Sequence, residues 1–125
     1  MTIITRCPPP MILVVDDEAI LRMNAVDILN DAGFATCEAG GAEEAMAKLE
    51  SQPEITVLFT DINMPGPYDG LELARRVHAR RPDIQLIITS GRRAPAAAEM
   101  PDEGRFLTKP YDAEMLAAMI NGVRK

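Results

Sequence analysis

The sequence contains no tryptophan, two tyrosines, three phenylalanines, two cysteines and a single histidine among 125 residues. Each scarcity closes off a class of chemistry. One histidine cannot build the multi-histidine sites that hold transition metals or the histidine-centred relays of nucleophilic catalysis. His78 lies among Arg75, Arg76, Arg80 and Arg81 on a candidate helix, the pattern of a solvated face. Cys7 and Cys37 show neither metal-ligand spacing nor a disulfide framework, so both read as free thiols in a reducing cytoplasm, with Cys37 a small core residue. No apolar run reaches the ~20 residues that span a bilayer. The opening MTIITRCPPP lacks the apolar stretch and cleavage site of a secretory signal. A net charge of -6 and a pI near 4.7 argue against a surface that grips nucleic acid by itself.

What is present is a regular alternation. A hydrophobic content of 47% is enough for one domain around one core. Short apolar runs at Met11–Val15, Phe34–Cys37, Ile55–Thr60, Ile84–Thr89 and Arg105–Thr108 read as strands. Between them the pattern predicts helices over 18–32, 42–51, 70–81 and 112–123, the last two opened by Asp69 and Asp112 as N-caps. Leu21, Ala25, Ile28 and Ala32 share one face of the first helix, and Gly33 supplies its stop. Met23, Met46, Met115 and Met119 read as core packing. Residues 1–10, with three consecutive prolines, read as a flexible lead-in to one domain over 11–125.

Strand followed by helix, repeated, implies right-handed crossovers and a parallel sheet covered on both faces. The expected architecture is a doubly wound α/β domain of five parallel strands in the order 2-1-3-4-5, the flavodoxin-like arrangement. Between the fourth and fifth strands the chain holds Pro95, Pro101 and Gly104, which leaves at most 94–100 for a short or irregular fourth helix. Residues 91–104 are therefore expected to be the least stable part of the domain.

In such sheets ligands bind beyond the carboxyl ends of the strands. Asp16 and Asp17 end the first strand, Asp61 the third and Thr89 the fourth, and Lys109 follows the fifth, so all five converge on one rim. Three carboxylates gathered there repel by of order 10 kcal/mol in total at an effective dielectric of ~20. A divalent cation reverses that sign. All-oxygen ligands suit Mg2+. Lys109 adds a point charge for a phosphoryl oxygen and Thr89 a hydroxyl, a set that describes a phosphoryl acceptor. Taken singly each residue has a plainer use: the acids as caps at a helix start, Asp61 in an Asx-turn, Thr89 as a strand-end hydroxyl and Lys109 on the surface. Their convergence favours the chemical reading.

The motifs LVVDDE, TDINMPGPYDGLELA, IITSG and FLTKP, in this order, resemble those of the receiver domain of two-component response regulators, across residues 11 to 123. The stand-alone, chemotaxis-type regulator is the similar form. The resemblance implies that Asp61 accepts a phosphoryl group from a phosphohistidine on a histidine kinase or phosphotransfer protein. It implies Mg2+ ligation by Asp17, Asp61 and the main-chain carbonyl of Asn63, with Asp16 acting through water. Thr89 and Lys109 would bind phosphoryl oxygens, and Phe106 falls where the family carries an aromatic switch residue. The implied module is a signalling domain rather than an enzyme in its own right, though able to catalyse its own phosphorylation and dephosphorylation. It would be cytoplasmic, a monomer or weak dimer, with an unidentified downstream protein and no direct contact with nucleic acid or membrane.

The MPGPYDG loop is one residue longer than the usual family pattern, Phe106 lacks a tyrosine hydroxyl, and Gly91 leaves the water path open. None of these removes a group that phosphoryl chemistry needs. Competing readings fit less well. A non-phosphorylated interaction module would not need the complete Asp17, Asp61, Thr89 and Lys109 set. An aspartate-nucleophile phosphatase carries D-x-D after the first strand, where this chain has DDE, and a flavin carrier needs a phosphate loop that is absent there. A receiver cut from a larger regulator or hybrid kinase remains compatible with every motif.

Overall fold

The structure is a computed structural model and describes residues 11–64, 66–91, 100 and 104–123. The predicted lead-in at 1–10 and, Met100 apart, the helix predicted within 94–100 lie outside the described residues. The elements in chain order are β1 (Met11–Val15), α1 (Ala19–Asp31), β2 (Ala35–Ala39), α2 (Ala42–Ser51), β3 (Ile55–Asp61), α3 (Gly70–Arg80), β4 (Gln85–Ser90), β5 (Arg105–Thr108) and α4 (Ala113–Val123). The five strands form one sheet in the order β2-β1-β3-β4-β5, and every neighbouring pair is parallel. The doubly wound architecture expected from the sequence is the architecture observed.

Because side chains alternate across a strand, each strand feeds two cores. Leu13, Val15, Leu58, Leu86 and Ile88 pack with α2 and α3 residues such as Ala45, Leu49, Leu73 and Val77. Ile12, Val14, Val57, Phe59 and Ile87 face the opposite way, against Ala25 and Leu29 of α1 and Leu116 and Ile120 of α4. The helix ends follow their local chemistry. Asp69 Oδ1 accepts the Glu72 N–H at 3.0 Å, and Asp112 Oδ1 accepts the Met115 N–H at 2.8 Å, so both predicted N-caps operate. At the end of α1, Gly33 adopts φ +96 while its N–H reaches Asn30 O and the Phe34 N–H reaches Leu29 O. This paired bonding closes the helix around a residue without a Cβ.

The apolar face of α1 is rotated from the expected one. Ala25 and Leu29 are buried and Ile28 packs at their edge, whereas Leu21 is 43% exposed and Ala32 lies exposed at the helix end. Leu21 occupies the first turn, which projects past the end of β1, so no strand lies beneath it. Of the four methionines assigned to the core, Met46 and Met119 do pack there. Met23 and Met115, at 58% and 46% exposure, point outward from faces that the sheet does not cover. Cys37 is half-buried against the α2–α3 core, as expected. Truncation should separate the two leucines of α1. Leu29→Ala is expected to lower the urea-unfolding free energy by about 2–4 kcal/mol, and Leu21→Ala by less than about 1.

Candidate functional site

Strand register alone gathers the predicted residues. Val15 lies opposite Thr60 and Asp61 opposite Thr89, so Asp16, Asp61 and Thr89 emerge side by side at the carboxyl edge. Ser90 pairs with Thr108, and the Lys109 N–H then donates to Ser90 O at 3.0 Å, which brings the lysine over the same edge. Asp16, Asp61 and Thr89 are buried, Lys109 is half-buried and Asp17 is exposed. One carboxylate oxygen from each of Asp16, Asp17 and Asp61 lies within 4.8 Å of the others. Lys109 Nζ stands 3.5 Å from Asp61 Oδ1 and 3.9 Å from Asp16 Oδ2.

Two buried oxygens here, Asp61 Oδ1 and Thr89 Oγ1, have no hydrogen-bond partner. Buried polar atoms are rarely left so, and each one calls for a reason. These two belong to residues paired across β3 and β4, so a single guest with acidic or donor character between them satisfies both. Burial is also the main reason that the Asp61 carboxyl sits above its ordinary range. The Asp16 charge pushes the same way, while Lys109 and the Asn63 backbone N–H oppose it. Three carboxylate oxygens within 4.8 Å of one another, without sulfur or imidazole, fit a hard divalent cation such as Mg2+.

The loop after β3 is fixed by backbone bonds rather than bulk. The Ile62 N–H donates to Thr89 O, and the Gly70 N–H donates to Ile62 O, both at 3.0 Å. The Asn63 side-chain amide donates to Ser90 Oγ at 3.1 Å, tethering the loop to β4. Gly70 starts α3 so close to the end of β3 that a Cβ would fall 2.0 Å from Asp61 O. Phe106, the expected switch residue, is half-buried against the α2–α3 core and lies opposite Ile88, one step from Thr89.

A cavity of about 450 Å³ opens beside the acids, lined by Asp16, Leu21, Asn24, Lys109, Pro110 and Tyr111. The Tyr111 ring meets Phe59 edge-on, with centroids 5.6 Å apart. Burial, with Asp16 and Asp61 nearby, pushes its hydroxyl up to about 12. A second cavity of about 330 Å³ between α2 and α3 is floored by Met46, Leu49 and Val77, far from the acids.

Sequence reasoning placed Asp16, Asp17, Asp61, Thr89 and Lys109 together, and they are together. It missed Ser90, Gly70, Tyr111 and Arg22, whose guanidinium donates to the Asp16 main-chain oxygen at 2.7 Å. Tyr111 carried a signal, since it directly follows Lys109 and Pro110. Gly70 carried one too, directly behind the N-cap Asp69. Ser90 and Arg22 are recognisable only once register and helix phase are known.

A 2-1-3-4-5 parallel sheet with an oxygen-only, lysine-screened rim defines a doubly wound α/β domain with an acidic cluster at its carboxyl edge. Comparison with known sequences makes the class specific: residues 12–121 match the response regulator receiver domain, and the chain belongs to that family. It is 34% identical over 110 residues to the C4-dicarboxylate transport transcriptional regulatory protein DctD of Rhizobium meliloti, covering 86% of this chain and 24% of that one. It is 31% identical to the response regulator receiver protein CpdR of Brucella abortus, over 91% of this chain and 93% of that one. Some relatives are thus much longer, and others consist of little more than this domain. A response regulator receiver protein from Pseudomonas putida superposes with a TM-score of 0.82 at 34% identity, covering 94% of this chain and 99% of that one.

Two outcomes follow from this geometry. Gly70→Ala must displace backbone, so it should cost about 1–3 kcal/mol of unfolding free energy, whereas Gly41→Ala, with open space around its Cβ, costs less than about 1. The second concerns charge. Because the folded chain raises the Asp61 pKa, ionising Asp61 opposes folding. That opposition is absent below the ordinary value of 3.8, grows as pH rises through the raised value and is full above it. In chelator at neutral pH, Asp61→Asn should therefore gain about 1–2 kcal/mol in urea unfolding, and the gain should vanish in acid. A gain undiminished in acid would place its origin elsewhere.

Proposed function

We propose that this receiver domain, residues 11–125, is a phosphoacceptor in which Asp61 takes a phosphoryl group from a phosphohistidine on a histidine kinase or phosphotransfer protein. One observation carries the reading: a buried Asp61 oxygen that makes no hydrogen bond is ion-paired with Lys109 at 3.5 Å within a cluster of three carboxylates. In the reaction an Asp61 carboxylate oxygen forms a bond to phosphorus as the bond from phosphorus to the donor imidazole nitrogen breaks. The imidazole leaves with the electron pair. Asp17, Asp61 and the Asn63 carbonyl would hold Mg2+, with Asp16 acting through water. When bound, the ion supplies charge neutralisation for the carboxylates and the phosphoryl oxygens.

The chain's own groups do the rest. Lys109, already between Asp16 and Asp61, turns its ammonium to a phosphoryl oxygen. The unpartnered Thr89 hydroxyl donates to another. As Thr89 moves toward the phosphoryl group, space opens beside β4 for the Phe106 ring, and the altered β4–β5 face is what a downstream protein reads. The domain works in the cytoplasm, as a monomer or weak dimer, without direct nucleic-acid or membrane contact. Among the described residues no helix is long and apolar enough to cross a membrane.

Treatment with phosphoramidate and MgCl2 should add a single phosphate to the intact mass. The adduct should be lost in Asp61→Asn and in excess chelator. A full adduct on Asp61→Asn, or one indifferent to chelator, would sink the assignment.

A further inference from the structure

The peptide joining Asp16 to Asp17 is gripped by a residue outside the acidic rim. Arg22, in the first turns of α1, donates from Nη1 to the Asp16 main-chain oxygen at 2.7 Å and from Nε to Glu38 Oε1 at 3.0 Å. Glu38 stands near the end of β2, and its own main-chain oxygen accepts a hydrogen bond from Lys48 Nζ on α2. Beside it, the Asp16 N–H donates to Ala39 O at 3.2 Å. The Asp16 side chain is held separately, its Oδ1 accepting the Glu18 N–H at 2.9 Å. The preceding peptide is thus tied to β2 directly, and the carbonyl of the peptide between the two acids is held by a guanidinium braced against β2.

We infer that Arg22 is a positioning residue for the cation site: with Glu38 it locks the Asp16–Asp17 peptide so that both carboxylates face Asp61. This rests on the phosphoacceptor reading and extends it to a residue that touches neither the phosphoryl group nor the ion. The rigid fork suits the task, because one planar guanidinium holds two acceptors in fixed directions, which an ammonium on a flexible stem does less well. Groups that orient metal ligands through a second layer of hydrogen bonds are commonly worth 10–100-fold in metal affinity.

Charge alone predicts the opposite outcome, which makes the inference testable. Removing a cation near three carboxylates deepens the negative potential and should tighten Mg2+ binding. Loss of positioning should weaken it. The test is titration of the uniformly 15N-labelled protein with MgCl2, followed by amide chemical shifts, which also report whether each variant is folded. Arg22→Met should bind Mg2+ about tenfold more weakly than the wild type. Arg22→Lys, with charge retained but the fork lost, should fall between the two. In phosphoramidate assays the MgCl2 concentration for half-maximal phosphorylation should rise in step, while the rate at saturating metal falls by less than about threefold.

An Arg22→Met protein that binds Mg2+ as tightly as the wild type, or more tightly, overturns the inference. Should Arg22→Met not fold, Arg22→Lys decides alone, and wild-type affinity in it overturns the inference equally. A wild type whose amides ignore MgCl2 overturns the cation site itself, and this inference with it.

Discussion

Repulsion among like charges shapes the acidic rim more than any attraction does. Asp16 and Asp61 are both buried, and their oxygens and one from Asp17 lie within 4.8 Å of one another. Among the described residues Lys109 screens them directly, 3.5 Å from Asp61 and 3.9 Å from Asp16. Such a cluster persists only if the surrounding backbone is too stiff to let the acids separate. The parallel register of β1, β3 and β4 provides that stiffness, as do the bonds from Asp16 to β2 and from Ile62 to β4. Two apolar cores, one on each face of the sheet, hold the register in turn.

Much of this was legible because it depends on period and order. Alternation of apolar runs with amphipathic stretches specifies the doubly wound sheet, and the sheet order places strand-end residues on one edge whatever the details between them. Asp69 and Asp112 announce their helices through local hydrogen bonding, which needs no tertiary information. The face of α1 was harder. Leu21 has the right spacing for burial, but spacing does not say where the supporting strand ends, and Leu21 lies past it.

The residues that escaped notice share a different trait. Arg22 holds a main-chain oxygen, Gly70 serves by lacking a Cβ, and Ser90 bridges strand and loop through both its carbonyl and its hydroxyl, so their identities announce little. An arginine on an amphipathic helix looks like solvated surface until the helix phase points it at the Asp16 carbonyl. Cys37 and His78, by contrast, stand out by rarity and sit half-buried away from the acids.

The want of tryptophan has a practical side. With no tryptophan to mask it, the tyrosine emission of this protein comes from Tyr68 and Tyr111 alone. Tyr68 lies under the Arg76 guanidinium, 4.0 Å from its ring centre, at the start of α3. Tyr111 lines the acidic cavity, edge-on to Phe59 and within the field of Asp16 and Asp61. One of the two tyrosines therefore stands at the mouth of the site. A cation or phosphoryl group entering there would change the field around one of only two tyrosines, which makes tyrosine emission an optical probe of occupancy without any label.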